Sequence, residues 1–149
     1  MDWLPPARTG QIWIPRDTDG PSCLLVLVAS VGPEMFRVIP AFRFVTCAGP
    51  DDLIVGPEWF GIPMAISVGL DFPIMADDLH RFRGQLDPEK MEILHQAMSE
   101  VDDEDRAGTW GPDYLDEFSK AYAFHEDLVK RVVELQSSAA YKIRDYLNT

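Results

Sequence analysis

The first 86 residues contain no lysine, and the whole chain of 149 residues has only two cysteines and three histidines. No apolar run approaches the roughly 18 residues of a membrane span; the longest, Cys23 to Ala29, is strand-sized. The opening MDWLPPARTG lacks a basic region followed by an apolar stretch, so no signal peptide is read there and the cytoplasm is the expected compartment. Cys23 and Cys47 sit in apolar, strand-like contexts and are expected as free thiols. There is no glycine-rich phosphate loop, no GxSxG and no HExxH. His80, His95 and His125 fall on different elements, so no set of ligands is spaced for a metal, and neither a metal nor another cofactor is expected. Calcium loops fail as well. DTDG at 17–20 would need a glutamate where Val28 stands, and EVDDED at 100–105 lacks the ligand spacing.

What the chain has in excess is negative charge. Its formal charge is −12, with −4 on residues 1–86 and −8 on residues 87–149. Such a chain repels a polyphosphate at long range, which disfavours RNA and leaves only a local arginine patch as a route to it. The apolar fraction of 46% is enough for a real core, and the length suits one domain with an appendage.

Ten of the twelve prolines fall at or before Pro73 and cut the N-terminal half into short pieces. Between them lie strand-like runs at 10–14, 23–30, 36–45, 52–55, 64–68 and 79–83, a spacing that predicts a small barrel or sandwich. Trp13 is expected in the core. Pro40 demands an edge or a bulge within its strand. In LDPEKMEILHQAMSEV, Asp87 is the expected N-cap, Pro88 the first helical residue, and Met91, Leu94, Met98 and Val101 one apolar face, predicting a helix over 88–99. The acidic stretch that follows reads as a linker. Beyond Asp113 the chain is helical to Leu147, with a three-and-four seam through Leu115, Phe118, Tyr122, His125, Val129, Val132, Gln136, Ala139, Ile143 and Tyr146, flanked by Leu128 and Leu135. One helix of that length spans about 50 Å, so a break at Ser137–Ser138 or a covering partner is expected.

The arginines are the strongest polar feature. In FRVIPAFRF, strand parity puts Phe36, Phe42 and Phe44 on one face and Arg37 and Arg43 on the other. Arg81 and Arg83 share parity in LHRFR. Guanidinium groups fork onto phosphate and stack on bases, so these four are the anion- or RNA-binding candidates. The competing expectation is solvated charges paired with Asp51, Asp52, Asp77 or Asp78.

TGQIWI at 9–14, DGPSCLLVLVAS at 19–30, FRVIPAF at 36–42 and RFRGQLDPEKMEILHQAM at 81–98 together resemble, in order, the pieces of the MazF/PemK family of toxin endoribonucleases, over roughly residues 9–100. The resemblance implies an SH3-like barrel, a homodimer, cleavage of single-stranded RNA and an antitoxin partner. The family's catalytic positions differ here. Gly20 precedes the proline of the second strand, Ala41 and Phe42 follow the Ile-Pro pair, and Pro73 and Ile74 stand near the place of the family's Asp-Gln pair. Without a cation and a hydroxyl there, transphosphorylation loses its electrostatic support. Arg16 and Ser22, or Arg43 and Thr46, are the nearby substitutes.

The expected fold is α+β: a small SH3-like antiparallel β-barrel with a closing helix over 1–100, an acidic linker at 101–112, and a C-terminal helical extension at 113–149. The extension either covers the barrel, pairs with a partner helix, or completes the core or a homodimer interface. Its interface candidates are Leu115, Phe118, Tyr122, Val129, Val132 and Ile143. The expected function is a non-catalytic interaction or regulatory protein on a MazF/PemK-like barrel. The alternatives are a divergent endoribonuclease toxin and a small-molecule binder between barrel and tail.

Overall fold

A computed structural model describes residues 6–16, 23–112, 116 and 118–148. Strands β1 (Gln11–Pro15), β2 (Leu24–Gly32) and β3 (Met35–Phe42) form a meander. β4 (Asp52–Val55), a one-turn helix α1 (Pro57–Phe60), β5 (Met64–Ser67), β6 (Phe72–Met75) and β7 (Leu79–Gln85) follow. Helix α2 (Pro88–Glu100), a short strand β8 (Thr109–Trp110) and helix α3 (Lys120–Leu147) complete the chain. All pairings are antiparallel, in the order β7-β1-β2-β3-β5-β4-β8, with β6 on β3. The expected α+β class and antiparallel sheet are present. Closure into a barrel is not, because β7 and β8 end the eight-stranded sheet without pairing to each other.

The reason lies in how the strands bury their side chains. Leu25, Val26, Leu27 and Val28 are consecutive and all buried, which requires cover on both faces of the sheet. On one face Val26, Val28, Ile39, Ile66 and Leu53 pack with Met91, Leu94 and Ala97 of α2. On the other, Trp13, Leu25, Leu27, Val38, Phe72 and Ile74 pack with Leu128, Val132 and Ala139 of α3. A barrel has one apolar interior; this sheet has two apolar faces, each with its own helix. Burying a side chain of this size contributes about 1.5–3 kcal/mol, so neither layer is dispensable.

Pro40 sits at neither an edge nor a bulge. It lies in central β3, opposite Leu25. On its other side β3 pairs with β6 only as far as Val38 and with β5 only from Ala41. Ile39 and Pro40 fall in the gap between the two neighbours, where a missing N–H costs no ladder bond. Pro73 occupies β6, which pairs only with β3.

Both long helices begin where side chains cap them. The Asp87 carboxylate accepts from the Lys90 backbone N–H at 2.9 Å, and Ser119 Oγ accepts from the Tyr122 N–H at 3.1 Å. α3 runs unbroken through Ser137–Ser138, 28 residues or about 42 Å. It needs no break because it lies across the sheet, over β6 and the turn at Val45–Cys47. Among the described residues, no helix is long and apolar enough to cross a membrane. The stretch at 101–112 is also docked: Trp110 pairs with Leu53, and the Arg106 guanidinium lies 3.8 Å from the Trp110 ring centre and 3.0 Å from the Asp51 carboxylate.

Candidate anion-binding groove

A groove of about 470 Å³ opens between β1, β7 and the α1–β5 segment. Its floor continues the α2-side core as Ile12 and Leu24, with Ile14 also lining it. Trp59, Phe60, Ile62 and Met64 form one wall. Gly56 and Gly61 bracket the single turn α1, which presents the two aromatic rings. Pro57 takes the first helical position, and Gly61 closes the turn at φ +88° with its N–H on the Pro57 carbonyl. The rings of Trp59 and Phe60 stand 6.5 Å apart between centroids.

Arg43, Arg83, Gly84 and Gln85 complete the lining. A β-bulge sets the position of Arg83. Ile12 pairs with Gly84 and its neighbour Trp13 with Phe82, so Arg83 is the extra residue, and bulges re-aim side chains in this way. Arg43 is the first residue past the end of β3, its guanidinium carbon 5.8 Å from the Phe44 ring centre, and Phe44 packs edge-on against Phe124 of α3. Gln85 donates Nε2–H to the Thr9 carbonyl at 3.3 Å, leaving Oε1 as the acceptor it can offer.

The electrostatics invert those of the chain. Among the described residues, no carboxylate lines the groove, and neither Arg43 nor Arg83 is in an ion pair. Distant parts of the −12 charge are screened beyond roughly 8 Å at physiological salt, while the described lining presents two guanidinium groups and no carboxylate. They can fork onto a phosphate or carboxylate, and the aromatic wall can take a planar ring. The described lining holds no histidine, carboxylate, cysteine or tyrosine, so it offers an anion two guanidinium groups and no general base.

The other candidates lie elsewhere. Arg37 pairs with Asp71 at 2.8 Å, and six residues along β3 set it roughly 20 Å from Arg43, so these two arginines form no single surface. Arg81 is exposed on β7 opposite Ile14 and outside the groove. Arg16 donates to the Asp77 carbonyl, and Thr46 Oγ1 lies 4.0 Å from Cys47 Sγ. Arg16, Arg43 and Thr46 therefore do not share the groove as a catalytic set. Ser22 and Leu115 lie outside the described residues. Of the helical seam, Val132 is 1% exposed in the chain's own core, which removes it as a free interface residue. Tyr122, Val129 and Ile143 are half-buried, and Phe118 is 89% exposed.

A second polar cluster ties α3 to the sheet. Buried Asp52 accepts from the Gly49 N–H and from Ser67 Oγ, both at 2.8 Å. His125 donates Nδ1–H to the Cys47 carbonyl at 3.0 Å and lies 3.7 Å from the Asp52 carboxylate. A Cβ at Gly49 would come within 2.7 Å of the imidazole, so glycine is what lets the helix approach there. Lys142 adds an ion pair to Asp78 at 2.7 Å at the far end. This cluster is an anchor: Ser67 hydrogen-bonds the aspartate, so its hydroxyl is not set up as an activated nucleophile.

Sequence reasoning did not single out Trp59, Phe60 or Gln85. The signal it passed over is GPEWFGIP, two aromatics held between paired Gly and Pro. No protein-family model matches the chain, and no curated protein matches it.

Proposed function

We propose that the protein is a non-catalytic interaction or regulatory protein on a MazF/PemK-like scaffold, and that the Arg43–Arg83 groove is its binding surface. The observation that carries this reading is the convergence of two unpaired arginines with Trp59 and Phe60 in a groove with no described carboxylate, inside a chain of formal charge −12. The meander β1–β2–β3 with β7 returning beside β1 and α2 following supports treating the sheet as an opened form of the SH3-like barrel. A homodimer comes with that resemblance, and exposed Phe118, Tyr141 and Leu147 support an assembly role for the C-terminal part.

The non-catalytic part rests on Arg16 and Thr46 lying outside the groove that Arg43 lines and on the lack of a proton-transfer group among the described lining residues. The test is incubation of the full chain with end-labelled single-stranded RNA. The RNA should stay full length. Cuts at defined positions that disappear in Arg43→Ala would establish the ribonuclease reading instead. The full chain is required because removing α3 would uncover Leu25, Leu27, Phe72 and Ile74.

A further inference from the structure

We infer that the groove takes a small amphipathic anion: a planar apolar body carrying one phosphate or carboxylate. This rests on the groove being the binding surface and goes further by naming the ligand class. Its volume, about 470 Å³, lies within the range of small-molecule sites. Most of its lining is apolar, with the Trp59 and Phe60 rings side by side on one wall. The two cations belong to different elements, one past β3 and one at the β7 bulge, and both line the same groove. One anionic group can therefore meet both while a ring lies against the wall.

A polymer fits the surface less well. Polyanion binding gains from many successive phosphate contacts. Beyond the groove, Arg37 is already paired with Asp71 and Arg16 is on the Asp77 carbonyl, so neither extends a positive track from it. A single anion needs no track. Gln85 Oε1 adds one acceptor, favouring a ligand body that carries a hydrogen-bond donor.

The experiment is a fluorescence titration of the full chain at physiological salt with 1-anilinonaphthalene-8-sulfonate, a ring body bearing one anionic group. Its uncharged analogue N-phenyl-1-naphthylamine and a labelled single-stranded oligonucleotide are run in parallel. The expected result is one probe per chain, weaker binding of the uncharged analogue, and at least about a tenfold loss of affinity in Arg43→Gln/Arg83→Gln. Displacement by phenyl phosphate or by benzoate tells which head group is preferred. Trp59→Ala should lose affinity too. If that variant does not fold, the arginine pair decides, because Arg43 and Arg83 are exposed and their melting curves report folding. Probe binding unchanged in the arginine variants would overturn the inference, since an apolar patch alone would explain it. Arginine-dependent binding of the oligonucleotide without binding of the probe would overturn the ligand class and leave the groove as the binding surface. If neither binds, both the ligand class and the groove assignment fall.

Discussion

Leu128→Ala tests whether α3 is a layer of the core or a detachable assembly helix. Leu128 is 3% exposed and packs in the cluster that holds Phe72 and Ile74. Deleting a buried leucine side chain costs about 2–5 kcal/mol, the higher values where the surroundings cannot collapse. A sheet braced on its other face by α2 collapses little, so we expect about 3 kcal/mol. Against a typical total of roughly 5–15 kcal/mol this is a large share, and for a chain of this size it lowers the melting temperature by about 6–12 °C. Val133, one residue round the helix from Val132 and 48% exposed, should cost under about 0.5 kcal/mol as alanine. The assay is urea unfolding followed by tryptophan fluorescence, which reads Trp13 in the core together with Trp59 and Trp110, and by far-UV circular dichroism, which reads the helices. The two curves should coincide and shift together in Leu128→Ala. A fluorescence transition that stays put while helical signal is lost first would refute the layered core and favour an assembly helix.

Other consequences can be checked separately. Asp52→Ala strands the Gly49 N–H and the Ser67 hydroxyl in a buried place, and should cost about 3 kcal/mol by urea titration, with Asp52→Asn milder because it keeps an acceptor. The Lys90 side chain and backbone hold the Asp87 carboxyl below its ordinary value of 3.8, so its stabilisation is present above about pH 4 and is lost as pH falls through the folded value. Asp87→Asn should therefore flatten the acid end of a stability–pH profile and leave neutral pH unchanged in slope. Burial pushes the Cys23 thiol up to about 11, so at pH 8 an aromatic disulfide reagent should reach partly buried Cys47 first and Cys23 only as the chain unfolds; two equally fast thiols would contradict this. Arg37→Ala removes a partly exposed pair with Asp71, should cost no more than about 1 kcal/mol, and should leave groove binding unchanged.

The elements legible in the sequence were those set by local pattern. Asp87 and Pro88 fixed the start of α2, and DLIV at 52–55 is a strand end to end. β6 was not legible because Pro73 in FPIM reads as punctuation, and only its edge position makes a proline tolerable there. β8 is two residues long and exists only because β4 offers an edge. For α3 the helical period was visible and the phase was not. The stripe through Tyr122, Val129, Gln136 and Ile143 and the neighbouring one through Leu128 and Leu135 share Val132 and Ala139. The sheet beneath chose the second, leaving Gln136 exposed. Strand parity holds for Arg37, opposite Phe36, and for Arg43, which lines the groove on the α2 side while Phe42 and Phe44 pack on the α3 side. The meeting of Arg43 and Arg83 in one groove depends on a β7 bulge, a property of long-range strand register that no local pattern encodes.

The most direct measurement is a nuclear magnetic resonance titration of the full chain with phenyl phosphate, following arginine Nε–H and tryptophan indole signals. The Arg43, Arg83 and Trp59 signals should shift along one common binding curve while Arg37 and Arg81 stay fixed. Shifts at Arg37 or Arg81 without shifts at Arg43 and Arg83 would contradict the account.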